Sequence, residues 1–444
     1  MKIQTHKFDN GFSLIHEKNE NPITAIFVYI RFGSIHETQP QQKGIAHFIE
    51  HMCFKGTKKK PSAIDIAQTY DEIGAYINAE TAKQYTCYKV KCIDKYATQS
   101  IQVLADMIFH SIFKKKDMDL ERNVVIEENI THAELPKTHL EEAIYATLYK
   151  GTPYSSPIDT IKYHLSDNSL KPVEILRMYR QFYQPHNMGM SIVSNLSFDS
   201  IKRAIHQSPF MTQPRCSPQN TVIEYPLIPT YNDEWCKTIV KKGIYATHIS
   251  IAFRTCPYTN PDMYPLFLLK NILGGYMSSR IFTLLREKYG LTYNSHCSTK
   301  HHLSSGHFEI YTMCNANSML KHKDHPGVLH LLIQVLNDIV KKGITQKELN
   351  EVKGKIQGHL VLNMEHTETK CVHNGVEYIL YDNRTVVPYK DLYKKHYEHI
   401  TKKDIHEIIR KYFRPENMFV CFVGENVPKI SIIKSYFTGF HSDD

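Results

Sequence analysis

Three residues able to do chemistry stand within five positions: His47, Glu50 and His51, in the phrase KGIAHFIEHMCFKGT at residues 43–57. On a helix at about 100° per residue, Ile45, Phe48, Ile49 and Met52 form an apolar stripe, and His47, Glu50 and His51 take the opposite face. Two histidines four apart can aim at one point, which a tetrahedral zinc ion accepts from a single helix. A glutamate beside them can take a proton from water that a metal has acidified. The plain alternative is the solvated side of an amphipathic surface helix. Two imidazoles alone also hold zinc poorly, and a catalytic site needs a third protein ligand.

That ligand is sought in DMDLERNVVIEENITHAEL, residues 117–135. Asp117 or Asp119 can cap a helix there, and Glu121 and Glu128, two turns apart, share one face. A solvated acidic face accounts for the same spacing. His132, four beyond Glu128, is a further possible ligand, whereas Glu127 points about 100° away from Glu128.

The elements that must position these residues occur twice. RQFYQPHNMGMSIV (180–193) and RKYFRPENMFVCFV (410–423) keep Arg, Pro, Asn and Met in register, and each follows a helical pattern. In the second copy Thr401 stands at the N-cap of a stripe formed by Ile405, Ile408, Ile409 and Tyr412. Proline then stops the helix and an apolar run follows that reads as a buried strand. Strand-like stretches at 23–33, 85–93 and 247–255 alternate with amphipathic segments. The fold class is therefore α+β: two homologous domains, each an antiparallel-rich β-sheet with helices packed on one face. Residues 1–207 form the first domain and 236–444 the second, joined by a linker at 208–235 that Pro209, Pro214, Pro218, Pro226 and Pro229 keep extended.

A chain of 444 residues with a 42% hydrophobic fraction can bury two or three cores. No apolar run of about 18 residues, signal core or transit pattern is visible, which points to a cytoplasmic protein without a membrane partner. The ten cysteines are dispersed with no C-x-x-C pair, as expected of reduced thiols. The net charge of +9 comes from scattered lysines, a solvated surface and not a nucleic-acid footprint.

The order H-x-x-E-H is the inverzincin signature. The segment GSIHETQPQQKGIAHFIEHMCFKGT (33–57) resembles the zinc-site segment of the pitrilysin/insulinase family, closest to its processing-peptidase-like branch. INAETAKQYTCYKVK (77–91) looks like the family's Asn-Ala-x-Thr turn leading into the edge strand that receives substrate, and ERNVVIEENI (121–130) like the segment supplying the distal glutamate. ILGGYMSSRIFTLLREKYGLTYNSHCS (272–298) resembles the segment that carries a substrate-binding Arg and Tyr. The resemblance implies one Zn2+ per chain held by His47, His51 and Glu128, with Glu50 as general base and Glu121 supporting the site from behind. It implies that Asn78 and Ala79 contact the substrate backbone, and that Arg286 and Tyr293 bind a substrate carbonyl or the developing oxyanion. The expected activity is a zinc metalloendopeptidase acting on short or unfolded peptides in a closed chamber, completed by a homodimer or a related chain. The alternative is an inactive scaffold subunit of the same family. The glycine-rich loop of the non-catalytic partner of mitochondrial processing peptidase has no counterpart here.

Overall fold

The computed structural model describes residues 3–158, 170–213, 234–382 and 385–440. They fall into two compact units, one within Met1–Thr131, Ser156–Ile223 and Leu360–Leu392, the other within His132–Ser155, Glu224–His359 and Tyr393–Asp444. Most of the expected linker, residues 214–233, lies outside the described residues, while Pro209–Thr212 forms a short helical turn.

The first unit is built on six strands: β1 (Ile3–Lys7), β2 (Ser13–Lys18), β3 (Ile23–Ile30), β4 (Tyr76–Thr81), β5 (Thr86–Ile93) and β6 (Met188–Ser194). Their order is β1-β2-β6-β3-β5-β4, antiparallel except for the β2–β6 pair. The second unit has five strands: β7 (Cys236–Val240), β8 (Ala246–Thr255), β9 (Thr292–His301), β10 (Gly306–Asn315) and β11 (Met418–Gly424). Here the order is β7-β11-β8-β10-β9, again with one parallel pair, β7–β11. Removing β1 makes the two sheets match strand for strand in order and direction, so β6 corresponds to β11 and β4 to β9. The repeated sequence phrase falls on this equivalence. Pro185–Asn187 and Pro415–Asn417 each form one 3-10 turn, and the chain enters β6 or β11 at the next residue.

In the first unit, α1 (Ile45–Met52), Ala97–His110, α2 (Lys115–Glu134) and Pro172–Phe182 share a core with Ile26, Val28 and Ile30 of β3. An eight-residue helix is unstable alone in water. Burying Ile45, Phe48, Ile49 and Met52 almost completely contributes about 1.5–3 kcal/mol each, which holds α1 in place.

Each unit also takes one helix from the other half of the chain. Helix α3 (Pro136–Leu148) packs on β8 and β11 of the second sheet. Arg254 of β8 donates from Nε (3.1 Å) and Nη2 (2.6 Å) to the Leu148 carbonyl, where a helix C-terminus favours a cation. Tyr145 and Tyr149, at the end of α3, meet Nε2 of His302 at 3.0 Å and Nδ1 of His307 at 2.8 Å. In the position that α1 holds in the first unit, the second has α4 (Met263–Gly274), whose sequence MYPLFLLKNILG has no histidine. In exchange, α5 (Thr367–Gly375) closes the second face of the first sheet against Ala25, Phe27 and Tyr29. This explains why β3 is apolar almost throughout: a strand covered on both faces cannot alternate. Farther on, α6 (Lys402–Tyr412) starts at Thr401, whose hydroxyl accepts from the Asp404 N–H, and buries the predicted Ile405, Ile408, Ile409 and Tyr412.

Buried imidazoles make the fold acid-sensitive. Burial pushes His16 and His36 down to about 4, and His307 down to about 3. Each is protonated in the unfolded chain below about 6.5 but not in the folded one, so stability is lost as pH falls from 6.5 toward 4. Burial pushes the Glu37 carboxyl up to about 7, which acts in the opposite sense. The urea midpoint of unfolding is therefore expected to be lower at pH 5 than at pH 7. A midpoint unchanged over that interval would contradict neutral burial of these three rings.

Candidate metal centre

Helix α1 starts where the sequence offers no conventional cap. Gly44 sits in the left-handed region (φ 85°), which glycine adopts without a Cβ penalty. The missing cap comes from Glu37, whose Oε2 accepts from the Gly44 N–H (2.9 Å) and Oε1 from the Ala46 N–H (2.8 Å). Glu37 is buried, so the clamp fixes the start of the helix just before His47.

With its apolar stripe in the core, α1 turns His47, Glu50 and His51 toward α2. The Nε2 atoms of His47 and His51 are 3.1 Å apart. Glu128 Oε2 lies 3.3 Å from His51 Nε2 and 3.7 Å from His47 Nε2. Three corners of a zinc tetrahedron with bonds of about 2.0–2.1 Å are about 3.3–3.5 Å apart, so the donor set and its spacing fit the ion. Among the described residues these three form the group able to hold a metal; Glu127 is exposed, and neither it nor His132 belongs to that group.

Glu121 takes a different position from its partner on α2. Its Oε1 lies 2.8 Å from His51 Nδ1, and Oε2 pairs with Lys55, one helical turn beyond His51. A bond at Nδ1 fixes the ring and leaves Nε2 to face the centre. Burial alone would raise the Glu121 carboxyl, but His51 and Lys55 outweigh it and bring it below the ordinary range. Burial would likewise lower His51, yet Glu121, Glu128 and Glu50 raise it to about 9. A proton held this firmly competes with a metal ion, which makes metal binding pH-dependent.

Glu50 is 9% exposed and its Oε2 accepts a 2.6 Å bond from the Thr81 hydroxyl. Burial raises its carboxyl; the Thr81 bond and the neighbouring His51 act against that rise.

Asn78 and Ala79 lie inside the edge strand β4 itself, not in a turn ahead of it. The turn comes at residues 82–85, where the Ala82 N–H donates to the Tyr85 carbonyl at 2.8 Å, and β5 is second from the edge. With Thr81 opposite Thr86, this bond sets the ladder so that Ile77, Ala79 and Thr81 turn their N–H and C=O groups away from β5. The Asn78 side chain covers one of these groups: Oδ1 accepts from the Ala79 N–H (2.9 Å), and Nδ2 donates to the Tyr76 hydroxyl (2.9 Å).

Arg286 and Tyr293 belong to the second unit. Arg286 is in the π-helical segment Thr283–Lys288, Gly290 turns the chain at φ 62°, and Tyr293 follows on β9, the edge strand. The two side chains meet, the guanidinium 5.1 Å from the Tyr293 ring and 4.9 Å from that of Phe282. Tyr293 is 76% exposed.

Glu37 and Lys55 join the site with no role expected of them from the sequence, and Thr81 stands in the sequence only as the last residue of the Asn-Ala-x-Thr phrase. Lys55 had a usable signal, being four residues beyond His51 at the end of the same helix.

Comparison with known proteins gives matches to two family models, Insulinase (Peptidase family M16) over residues 13–160 and Peptidase M16 inactive domain over 169–356. The uncharacterized zinc protease YmxG of Bacillus subtilis is 33% identical over 384 residues, covering 85% of this chain and 88% of that protein. An uncharacterized zinc protease of Streptomyces coelicolor is 28% identical over 80% of this chain and 76% of its own. The fold is shared with a protease from Helicobacter pylori, at a TM-score of 0.84 and 19% identity, over 95% of this chain and 99% of that one. Among the described residues no helix is long and apolar enough to cross a membrane.

Proposed function

The chain belongs to the insulinase family of peptidases, peptidase family M16, and we propose that it is a zinc-dependent metalloendopeptidase acting on short or unfolded polypeptides. The observation that carries this reading is the triangle of His47 Nε2, His51 Nε2 and Glu128 Oε2 with a buried carboxylate, Glu50, on the same helix face. These three residues would hold one zinc ion per chain. Bound there, zinc supplies Lewis acidity toward a peptide carbonyl and acidifies water.

The remaining work falls to side chains and backbone. Glu50 takes a proton from the attacking water as the C–O bond forms, and passes it to the amide nitrogen as the C–N bond breaks. Glu121 holds the His51 ring through Nδ1. The outward-facing backbone groups of Ile77, Ala79 and Thr81 receive the peptide as an added strand, and the Asn78 amide must leave the Ala79 N–H for that to happen. Arg286 and Tyr293 we assign to a substrate carbonyl or the oxyanion, in a chamber completed by a second copy or a related chain. The reading as an inactive scaffold is not favoured, because every ligand position and the base position are filled.

The test is to measure zinc in the purified full-length chain and incubate it with a mixed peptide library, with and without a chelator. About one zinc per chain, cleavage abolished by the chelator and recovery on adding zinc are expected. Bound zinc with no cleavage of any peptide would overturn the peptidase reading in favour of the scaffold.

A further inference from the structure

We propose that Thr81 is a positioning residue that couples docking of the peptide strand to alignment of Glu50. The inference rests on the reading of Glu50 as the base. Thr81 ends the edge strand β4 and takes part in two sets of contacts at once. Its backbone N–H and C=O point away from β5, into the position an added strand would occupy. Its hydroxyl donates its single proton to Glu50 Oε2 at 2.6 Å. Ile77 and Ala79, four and two residues earlier on the same side of the strand, pack against the core to which α1 contributes Ile45, Phe48 and Ile49. The register of β4 against α1 is thus set by apolar contacts, and the Thr81 hydroxyl carries that register to the carboxylate.

The terminal torsion of a glutamate is soft, so without a partner the carboxylate rotates over a broad range. The Thr81 bond occupies Oε2 and leaves Oε1 to take the proton. A peptide paired along Ile77, Ala79 and Thr81 immobilises the Thr81 backbone, and with it the hydroxyl that orients Glu50. The base is then aligned best when substrate is docked. Losing such alignment misplaces the base without touching the metal ligands, and misplacement by about 1 Å can cost about 100-fold in rate.

The experiment compares wild type, Thr81→Val, Thr81→Ser and Glu50→Gln, each as the full chain, on one unstructured fluorogenic peptide. It records kcat and KM separately, with zinc content and melting temperature. Valine keeps the shape and β-branching of threonine without the hydroxyl. Thr81→Val should lower kcat by about 30-fold with KM, zinc content and melting temperature near wild type, and Thr81→Ser should restore most of kcat. A Thr81→Val enzyme with wild-type kcat, or one impaired only in KM, overturns the coupling while leaving Glu50 as base. So does a loss of kcat that tracks zinc content or melting temperature. Full turnover by Glu50→Gln, or none by wild type, overturns the underlying reading instead.

Discussion

Glu50→Gln is expected to abolish measurable peptide hydrolysis, lowering kcat by about 1,000-fold or more, with zinc content equal to that of the wild type. The size follows from the contribution of a positioned general base, roughly 100- to 10,000-fold. An amide cannot accept the proton, yet its oxygen can still accept the Thr81 hydroxyl bond, so the helix and the strand stay in register. Because the substitution leaves His47, His51 and Glu128 intact, metal binding separates from catalysis. The measurement is kcat on an unstructured peptide beside zinc content. Undiminished turnover by this variant would remove Glu50 from the reaction.

The second large effect is on the metal. Glu128→Gln replaces the carboxylate proposed as third ligand by a neutral amide and leaves two imidazoles, which are expected to hold zinc poorly. Glu121→Gln removes the negative charge that faces His51 Nδ1 and Lys55 and leaves His47, His51 and Glu128 in place. Losing a partner of that kind costs about 10- to 100-fold in metal affinity, and losing a ligand should cost more. The expected order of zinc affinity is wild type, then Glu121→Gln, then Glu128→Gln, the last weaker than wild type by well over about 100-fold. Competition against a chromophoric chelator at fixed pH measures all three without any peptide substrate. Equal affinity of Glu128→Gln and wild type would mean that the third ligand lies elsewhere. A reversed order of the two variants would exchange the roles of the two glutamates.

Much of this site was legible from short-range patterns. The stripe of α1 places its histidines and glutamate on one face because 3.6 residues per turn leaves no other choice once Ile45, Phe48, Ile49 and Met52 are buried. The spacing of Glu121 and Glu128 put both on one face of α2 by the same rule, but that rule treats them alike. They differ only in what each meets: Glu121 reaches His51 Nδ1 and Lys55, whereas Glu128, two turns on, reaches the two Nε2 atoms. Pattern was weakest on α2, since its inward face includes Glu121, Glu128 and Asn129 among Met118 and Val125. A helix whose buried side is polar has little periodic signal to read. The edge strand was misplaced by a few residues because a strand and the turn after it share the same polar composition in NAETAKQ.

Short-range patterns suffice for the duplicated helix, Pro-Asn turn and strand, and for the grouping of His47, Glu50 and His51 on one helix face, since each is a consequence of local backbone geometry. Long-range packing accounts for the rest. It set Glu128 against the two Nε2 atoms and Glu121 against Nδ1 of His51, brought Thr81 to Glu50, 31 residues away, and set Glu37 over the start of α1 from nine residues before Ala46. It also laid α3 on the second sheet and α5 on the first, each taken from the opposite half of the chain. Contacts of this kind have no period along the chain; they arise where separately folded faces pack, and packing answers to shape and burial, not to sequence distance.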